Sequence, residues 1–273
     1  MRSTFKNLTE LLDYFKEEKT GIEYLAQQRW NGKPVCPVCG NDKTYVTAKG
    51  FRCADRKCDK KFTVKVGTIF ESSKLPLRIW FGAIYLFTTS KKGISSLQLH
   101  RQLGITQKTA WFVLHRVREM LKDAAPQVLR DEVQIDETYI GGKAKNKHKS
   151  KRIASQGKKD DKIPVLGLID KHGKVVTYVL PAVTADIVTP LMVEKVGSNV
   201  TIVTDAHLAY RFLKNDFKHV VVKHNEGEYK NGRFHTNGIE GYWSILKRGI
   251  YGIYHQVSPK HLHRYCDEVF RPL

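Results

Sequence analysis

The sequence lacks any apolar run long enough to cross a membrane. The longest, "IWFGAIYLF" from Ile79 to Phe87, falls far short of the roughly 20 apolar residues that a spanning helix needs. The N-terminal segment "MRSTFKNLTELLDYFKEE" has neither an apolar stretch nor a small-residue cleavage site, so we expect no export signal. These absences exclude a membrane-spanning protein and predict one that stays in the cytoplasm.

Acidic residues are also scarce, with 27 Asp and Glu against 47 Lys and Arg, and the net charge is +20. An excess of this size creates a field that attracts polyanions, of which nucleic acid is the commonest. No basic helix with a large apolar face stands out, which disfavours a membrane-surface role. Nucleic-acid binding is therefore the leading hypothesis, and a merely soluble basic protein is the alternative.

The scarcity of acids is most marked near the C-terminal end, where Glu240 is the only one between Glu228 and Asp267. The same interval carries six basic residues, Lys230, Arg233, Lys247, Arg248, Lys260 and Arg264. A basic surface that attracts DNA has no need of one isolated carboxylate. A separate role, such as that of a metal ligand, is therefore a hypothesis for Glu240.

Cysteine is rare as well, and four of the five cysteines lie close together in the sequence. "CPVCG" supplies Cys36 and Cys39, and "FRCADRKCDKKF" supplies Cys53 and Cys58. In a reducing compartment, two close thiolate pairs predict one tetrahedral structural zinc site rather than disulfides. Four unliganded buried thiols are the alternative. Cys266 stands alone on a predicted final helix, where we expect a core thiol.

Hydrophobic periodicity predicts an α/β protein with several domains. Helical spacing dominates residues 5–30 and 75–122, and a short β-forming segment rich in Cys, Gly and Lys separates them. From residue 133 onward, strands and helices alternate. The predicted strands are "EVQIDETYI", "IPVLGLID", "KVVTYVLP", "NVTIVTD" and "HVVVKH", and the predicted helices are "TADIVTPLMVEKV" and "TNGIEGYWSILKR".

The segment "SSLQLHRQLGITQKTAWFVLHRVREML" predicts two helices around a glycine turn. Gly104 would form the turn, and Thr106 would cap the second helix. That helix would turn Val113, Leu114 and Val117 inward. In a DNA-binding helix-turn-helix, the start of the second helix enters the major groove. The residues that could then face DNA are Gln107, Lys108, Thr109 and Arg116. An ordinary helical hairpin is the alternative.

Three carboxylates recur in the α/β region. Asp136 lies within the strand "VQIDETY", Asp205 ends the strand "TIVTD", and Glu240 lies on a helix. Each alone could cap a helix or pair with a basic residue. Together they could bind two Mg²⁺ or Mn²⁺ ions for phosphoryl transfer, because these ions prefer carboxylate oxygens. Lys247, two helical turns beyond Glu240, projects from the same helix face.

The whole set of motifs closely resembles the bacterial insertion-sequence transposases of the DDE class, in the ISXO-two-like group that carries an N-terminal zinc ribbon. The resemblance spans nearly the whole chain. It rests on "CPVCG", "GTIFESSKLPLRIWFGAIYLFTTSKKGISSLQLHRQLGITQKTAWFVLHRVRE", "VQIDETYIGGK", "VTDAHLAY" and "FHTNGIEGYWSILKRGIYGIYHQVSPKHLHRYCDE". It implies an enzyme that nicks the 3′ ends of its element and joins them to target DNA, without a covalent protein–DNA intermediate.

The resemblance also implies an RNase H-like mixed sheet flanked by helices, with Asp136, Asp205 and Glu240 as the catalytic triad. Lys247 would contact DNA at the element end, with Arg248 beside it. The implied cofactors are two Mg²⁺ or Mn²⁺ ions and one structural Zn²⁺. The implied partners are double-stranded DNA, as terminal inverted repeats and as target, and further copies of the chain, because two ends must be synapsed. We expect such a protein at the bacterial nucleoid.

The expected organisation has four parts. Residues 1–33 would form an N-terminal helical segment, 34–70 the zinc ribbon, 71–125 the helix-turn-helix region and 126–273 the RNase H-like catalytic domain. Within the last part, residues 141–162 carry nine Lys or Arg and predict a basic loop. Both a DNA contact and a solvated linker fit that composition.

Two features depart from the group. The second cysteine pair is separated by four residues where two are usual, and the chain stops at "FRPL" where relatives usually continue. An inactive truncated transposase is therefore one alternative. A non-catalytic zinc-ribbon and helix-turn-helix DNA-binding protein is a second, and a nuclease that cuts without joining is a third. Some relatives carry Asn near the third acidic position, so Asn237 is a rival to Glu240.

Overall fold

The computed structural model describes residues 5–48, 50–121, 129–142, 162–197, 199–223, 226–228 and 230–269. The chain forms two compact units, Met1–Met120 and Leu121–Leu273. The predicted boundary after residue 125 falls outside the described residues, and the predicted subdivision of the first unit stays a prediction. Within the described ranges, no helix is both long enough and apolar enough to span a bilayer.

The first unit combines helices with a small antiparallel sheet in the order β1-β2-β3. Its elements are α1 (Leu8–Tyr14), α2 (Glu18–Trp30), β1 (Thr44–Thr47), β2 (Gly50–Cys53), β3 (Lys61–Phe62), α3 (Leu77–Thr89), α4 (Ser96–Leu103) and α5 (Gln107–Glu119). The three strands lie in the cysteine-rich segment, as their composition predicts.

The helical stretch predicted over residues 5–30 begins only at Leu8 and is interrupted between α1 and α2, so that prediction is wrong at residues 5–7 and 15–17. Phe15 is the capping residue that follows α1, and it is fully buried. Its ring centroid lies 4.5 Å from that of Phe81 on α3 and 5.1 Å from that of Tyr24 on α2. Burial of an aromatic ring outweighs the weak local preference for a continuous helix.

The predicted glycine turn between α4 and α5 is confirmed. Gly104 ends α4 with a φ of 65°, in the left-handed region that glycine adopts without strain. Thr106 caps α5, because its side chain accepts a hydrogen bond from the backbone N–H of Thr109 at 3.2 Å. The side chains that α5 buries include Val113, Leu114 and Val117, as predicted.

The second unit is built on a mixed sheet in the order β6-β5-β4-β7-β8. Strands β4, β5 and β6 pair antiparallel, whereas β7 and β8 continue the sheet parallel to β4. The RNase H-like mixed sheet flanked by helices is thereby confirmed. The elements are β4 (Glu132–Ile140), β5 (Ile163–Asp170), β6 (Val175–Val179), α6 (Ala185–Lys195), β7 (Thr201–Thr204), β8 (Lys218–Val221), α7 (Asn237–Gly249) and α8 (Leu262–Val269).

Alternation along β4 gives the sheet two different faces. One face carries Val133 and Ile135 and packs in a core with α6 and Tyr210. The other carries Ile140 and packs against α7. The buried stripe of α7 consists of Ile239, Tyr242, Trp243 and Leu246, as its periodicity predicts. Asp136 therefore belongs to the α7 face and Glu137 to the opposite one.

Candidate active site and metal centre

Four cysteines of the first unit bring their sulfur atoms together. Cys36 Sγ lies 3.8 Å from Cys58 Sγ, and Cys39 Sγ lies 3.5 Å from Cys53 Sγ. All four sulfurs lie within 4.8 Å of one another. A tetrahedral site with Zn–S bonds of about 2.3 Å separates its sulfurs by about 3.8 Å. The sulfur atoms of the four predicted ligands are thus separated by the distances that one tetrahedral zinc site requires.

The first cysteine pair sits on a tight backbone turn. The N–H of Gly40 donates to the carbonyl oxygen of Cys36 at 2.9 Å, and Gly40 has a φ of 76°. Burial opposes ionisation of Cys36, but the backbone N–H groups of Cys39 and Val38 hydrogen-bond its sulfur, and the pKa of Cys36 is lowered to about 7. The turn therefore favours the thiolate form, which is the form that binds a metal.

The four-residue spacing of the second pair does not keep its sulfurs apart. The N–H groups of Cys58 and Asp59 both donate to the carbonyl oxygen of Asp55, at 3.1 and 2.8 Å, and this folds the extra residues into a turn. Asp59 has a φ of 42°, and its carboxylate forms a bidentate ion pair with Arg52. This turn accommodates the two extra residues, so Cys53 and Cys58 still bring their sulfur atoms into the cluster.

In the second unit, Asp136 lies on the central strand β4. Its Oδ2 accepts a hydrogen bond from Trp243 Nε1 of α7 at 3.0 Å. Gly167 of β5 pairs with Asp136, and a Cβ at Gly167 would lie 2.6 Å from the Trp243 ring. The missing side chain at Gly167 leaves the space through which the indole reaches Asp136.

Negative charge is concentrated around Asp136. Its pKa is raised to about 6, first by burial and then by the charges of Glu137 and Asp205. The influence of Asp205 follows from the topology, because Asp205 directly follows β7, the parallel neighbour of β4. A bound cation would relieve this repulsion, and carboxylate oxygens are the ligands that Mg²⁺ and Mn²⁺ prefer. The donor set therefore fits the predicted ions.

Asp205 begins a turn that is tied to β4. Its Oδ1 accepts a hydrogen bond from the backbone N–H of His207 at 3.0 Å. His207 Nδ1 in turn accepts from the N–H of Ala209 at 3.2 Å and caps a short 3-10 turn. The buried Tyr210, at the end of that turn, donates its hydroxyl hydrogen to Glu137 Oε2.

Glu240 lies in the first turn of α7 and is exposed. Its Oε1 accepts a hydrogen bond from Thr236 Oγ1 at 2.9 Å. The start of α7 is bound to β4, since the N–H of Ile239 donates to Gln134 Oε1 at 3.2 Å. Gln134 and Asp136 share a face of the sheet, so α7 carries Glu240 on the same side as Asp136.

The three carboxylates are less tightly grouped than the four sulfurs. In the part of the chain that the structure describes, the cysteine cluster is the only group of three or more His, Cys, Asp or Glu residues whose ligand atoms lie close enough together to hold one metal ion. Asp136, Asp205 and Glu240 therefore form no compact cage for a single ion. A two-ion site distributes its ligands over ions about 3.5–4 Å apart. Convergence of the three carboxylates on such a site stays a prediction.

The other predicted residues of α7 lie at its two ends. Lys247 and Arg248 belong to the last turn, and Lys247 is two turns from Glu240 as predicted. Lys247 is half-buried, whereas Arg248 is exposed and donates to the backbone oxygen and the hydroxyl of Ser244, both at 3.1 Å. Asn237, the rival to Glu240, is the exposed first residue of α7.

The residues predicted to face DNA at the start of α5 occupy different environments. Lys108 is exposed. Gln107 Nε2 donates to Ser96 Oγ at 2.8 Å, and the hydroxyls of Thr109 and Thr106 lie 2.8 Å apart. Gln107 and Lys108 are thus both exposed, whereas Thr109 is half-buried.

Arg116, predicted to contact DNA from farther along α5, is engaged within the protein. Its Nη1 donates to the backbone oxygens of Ile69 and Glu71 at 2.7 and 2.8 Å. The guanidinium carbon lies 5.0 Å from the centroid of the Phe112 ring. These contacts favour a structural role for Arg116, and its DNA contact stays a prediction.

Two further sequence predictions concern other parts of the chain. Cys266 is fully buried on α8, which confirms the predicted core thiol, and burial raises its pKa to about 12. Of the predicted basic loop over 141–162, residues 143–161 lie outside the described residues.

Five residues of the carboxylate site were missed from the sequence, although signals were present. Glu137 follows Asp136 directly, and the run after Asp205 contains His207 and Tyr210, whose polar groups need partners. Trp243 fits the apolar periodicity of α7, but its indole N–H also needs an acceptor. A glycine inside a strand, such as Gly167, often marks the close approach of another group.

Comparison with known proteins matches most of the chain. Residues 128–271 match the ISXO2-like transposase domain, and residues 16–61 match the transposase zinc-ribbon domain. A protein of Halobacterium salinarum (strain ATCC 700922 / JCM 11081 / NRC-1), described as an uncharacterized protein in transposable element ISH50, is 31% identical over 255 residues. The alignment covers 86% of this chain and 84% of that protein.

Among solved structures, a pre-cleavage Mos1 transpososome aligns over 97% of this chain and 94% of that chain, with 12% identity and a TM-score of 0.24. A similarity at that level carries no argument about fold or activity. The domain match, by contrast, covers more than half of the chain and contains Asp136, Asp205 and Glu240. The zinc-ribbon match contains all four clustered cysteines. The chain belongs to the ISXO2-like transposases of insertion sequences.

Proposed function

We propose that this protein binds the ends of its insertion sequence, cuts the DNA at their 3′ termini and joins them to target DNA. One observation carries the proposal: Asp136 lies on β4, Asp205 directly follows β7, the parallel neighbour of β4, and the helix of Glu240 is docked on the Asp136 face of the sheet. A protein that only binds DNA has no need of three acids at these positions.

Each of the three carboxylates is oriented by a hydrogen bond from the protein. Trp243 donates to Asp136, the backbone of His207 donates to Asp205, and Thr236 donates to Glu240. Carboxylates held in this way lose little orientational freedom on binding a cation. Such preorganisation is what a catalytic metal site requires.

Asp136, Asp205 and Glu240 would hold two Mg²⁺ or Mn²⁺ ions. Bound ions of this kind activate the attacking oxygen and stabilise the leaving oxygen in phosphoryl transfer. The burial and charge repulsion that raise the pKa of Asp136 to about 6 supply a local reason for a cation to bind.

The proposed chemistry consists of two balanced exchanges of a P–O bond. In cleavage, water attacks the phosphodiester at the element end, and the bond to the element's 3′ oxygen breaks, leaving a 3′ hydroxyl. In joining, that hydroxyl attacks a target phosphodiester and releases a target 3′ hydroxyl. Neither step needs an external energy source or a covalent link to the protein, because hydrolysis of a phosphodiester is favourable and joining consumes one phosphodiester for the one that it forms.

DNA would be engaged by both units. The start of α5, with Lys108, Gln107 and Thr109, suits the major groove of the element end, since recognition helices enter it by their first turns. Lys247 and Arg248 would contact phosphates next to Glu240. The zinc ribbon would be held by Zn²⁺, and two copies or more would synapse the two ends.

The test is an assay with radiolabelled element ends, a plasmid target and Mg²⁺. We expect a cleaved 3′ end followed by labelled product joined to the plasmid, with both lost in excess EDTA. Tight binding of the ends without any cleavage would instead identify a non-catalytic DNA-binding protein or an inactive copy. Cleavage without joined product would identify a nuclease.

A further inference from the structure

Glu137 is a buried carboxylate that the proposed chemistry does not use. Its side chain is only 9% exposed, although it directly follows Asp136 in the sequence. Because alternate residues of a strand face opposite ways, Glu137 points away from α7 and toward the core that contains Tyr210. A buried carboxylate is costly unless it accepts hydrogen bonds, so its partners indicate its role.

Both partners of Glu137 belong to the turn that follows Asp205. The hydroxyl of Tyr210 donates to Glu137 Oε2, and His207 Nε2 lies 3.7 Å from Glu137 Oε1. His207 Nδ1 accepts from the N–H of Ala209 at 3.2 Å, so the proton of the neutral ring lies on Nε2, which faces Glu137. The two oxygens of one carboxylate thus face the same turn.

That turn also holds Asp205. The backbone N–H of His207 donates to Asp205 Oδ1 at 3.0 Å, while the ring of the same residue faces Glu137. Contacts therefore run without a gap from β4, through Glu137 and its two partners, to the carboxylate of Asp205. Pairing of β4 with β7 ends at Gln134 and Val203, so the strand hydrogen bonds do not extend to Asp205.

We propose that Glu137 is a positioning residue, which holds the turn of Asp205 in place beside Asp136. The proposal rests on the proposed function, because it takes Asp205 to be a ligand of the catalytic metal. Residues that orient metal ligands typically change metal affinity about 10- to 100-fold when they are altered.

The main test is Tyr210→Phe in the full-length, zinc-loaded protein without DNA. The change deletes one hydroxyl and keeps the buried ring, so packing in the core is retained. We expect the affinity for Mn²⁺, measured by calorimetry or by the resonance signal of free Mn²⁺, to fall about 10-fold or more. The Mg²⁺ concentration needed for half-maximal end cleavage should rise in parallel.

Tyr254→Phe is the matched control. Tyr254 donates its hydroxyl hydrogen to Oε1 of Glu268, another buried carboxylate, at 2.7 Å in the same unit but away from the Asp205 turn. This variant should lower the melting temperature about as much as Tyr210→Phe and leave the Mn²⁺ affinity unchanged. Equal melting losses with unchanged Mn²⁺ affinity in both variants would show that the Glu137–Tyr210 contact is only structural, and the proposal would be wrong.

Glu137→Gln separates positioning from direct ligation. The amide oxygen can still accept from Tyr210, so a positioning role predicts a smaller loss of Mn²⁺ affinity than in Asp205→Asn. A loss as severe as that of Asp205→Asn would make Glu137 itself a metal ligand and overturn the proposal, while the proposed function would stand. Absence of Mn²⁺ binding by the unaltered protein, even with element-end DNA, would instead overturn the proposed metal site, and the positioning role with it.

Discussion

The cysteine centre and the carboxylate site differ in how the chain assembles them. The cysteine ligands lie within 23 consecutive residues, 36–58, and two local backbone turns bring their sulfurs together. The carboxylates come from β4, from the residue after β7 and from α7, so only the packing of the sheet and of α7 could bring them together. A site built by local turns can be identified from residue spacing, whereas a site built by tertiary packing requires the fold.

The two sites also differ in what surrounds them. The buried hydrophobic cluster at the cysteine centre consists of Cys36, Cys53 and Phe62, with Trp30 and Phe51 packed against it. Two of its three buried members are metal ligands, so metal binding and folding should be coupled there. The carboxylate site instead lies on a sheet with a large apolar core on each face. That sheet should fold without metal.

Cys39→Ser should have the largest effect, because it tests whether zinc binding and folding are coupled at the cysteine centre. Structural zinc contributes on the order of 10–16 kcal/mol to folding in small zinc modules, so losing one of four thiolates should unfold residues 34–66. The second unit should keep its melting transition. Zinc content by atomic absorption and hydrogen exchange resolved along the chain measure both effects. Cys266→Ala, which removes the fifth cysteine, is the control and should retain one zinc; a folded, zinc-loaded Cys39→Ser protein would contradict the coupling.

Glu240→Gln tests the carboxylate site, where we expect lost chemistry without lost folding. An amide lacks the charge that balances Mg²⁺, and catalytic metal interactions are worth several kcal/mol, so end cleavage should fall by about 1,000-fold or more. Binding of the element end, measured by gel shift, should stay near that of the unaltered protein. Asn237→Ala is the control. If Asn237→Ala loses cleavage and Glu240→Gln does not, Asn237 holds the third position.

Gly167→Ala links packing to the carboxylate site. The new methyl group would lie 2.6 Å from the Trp243 ring and 2.8 Å from Ile239, which would displace α7. Overpacking of this kind costs about 1–3 kcal/mol, and the Trp243–Asp136 hydrogen bond should weaken with it. Thermal denaturation measures the first effect and end cleavage the second.

Gly241→Ala is the matched control for stability, because a Cβ at Gly241 meets nothing within 4 Å. Inside a helix, this change should raise the free energy of unfolding by up to about 1 kcal/mol. Equal stabilities for the two variants would mean that the glycine on β5 has no packing role.

Much of the fold and the ligands of the cysteine centre could be predicted from the sequence. The five strands of the second unit, its two central helices and the buried stripe of α7 follow from periodicity, and the cysteine ligands follow from spacing. Hydrogen bonds between distant elements could not be predicted. Trp243 and Asp136 are 107 residues apart, and Tyr210 and Glu137 are 73 apart. Their pairing depends on strand order and helix docking, which no local pattern specifies.

The break between α1 and α2 has the same physical origin. Propensity along residues 5–30 is compatible with a continuous helix, and the interruption arises because Phe15 is buried against Phe81, more than 60 residues away. Local preferences of a few tenths of a kcal/mol per residue yield to the burial of a large ring. Helix existence was therefore predictable, while the position of the break was not.

Helix α5 contains two residues that the sequence predicts to have the same role and that differ in the structure. Lys108 and Arg116 are both predicted to contact DNA, and we expect the smallest effects from changing them. Lys108 is exposed, and Lys108→Ala should leave the melting temperature unchanged. If Lys108 contacts a phosphate, binding of the element end should weaken, and the slope of log K against log salt should fall by about one.

Arg116→Ala should do the reverse. It removes the donor to the carbonyl oxygen of Ile69, in a part-buried hydrogen bond, and to that of Glu71, in an exposed one. Leaving the part-buried acceptor unsatisfied costs up to about 1–3 kcal/mol. The melting temperature should therefore fall, while the salt slope of the folded protein stays unchanged. Gel shifts at several salt concentrations, paired with thermal denaturation of both variants, distinguish a DNA contact from a structural role.

If Arg116→Ala reduced the salt slope as much as Lys108→Ala and cost no stability, the internal contacts of Arg116 would be incidental and the sequence-based DNA contact would be correct. If the two variants separate as expected, two basic residues of one helix have different roles: Lys108 binds DNA from the exposed first turn, and the partly buried Arg116 stabilises the fold from the third turn.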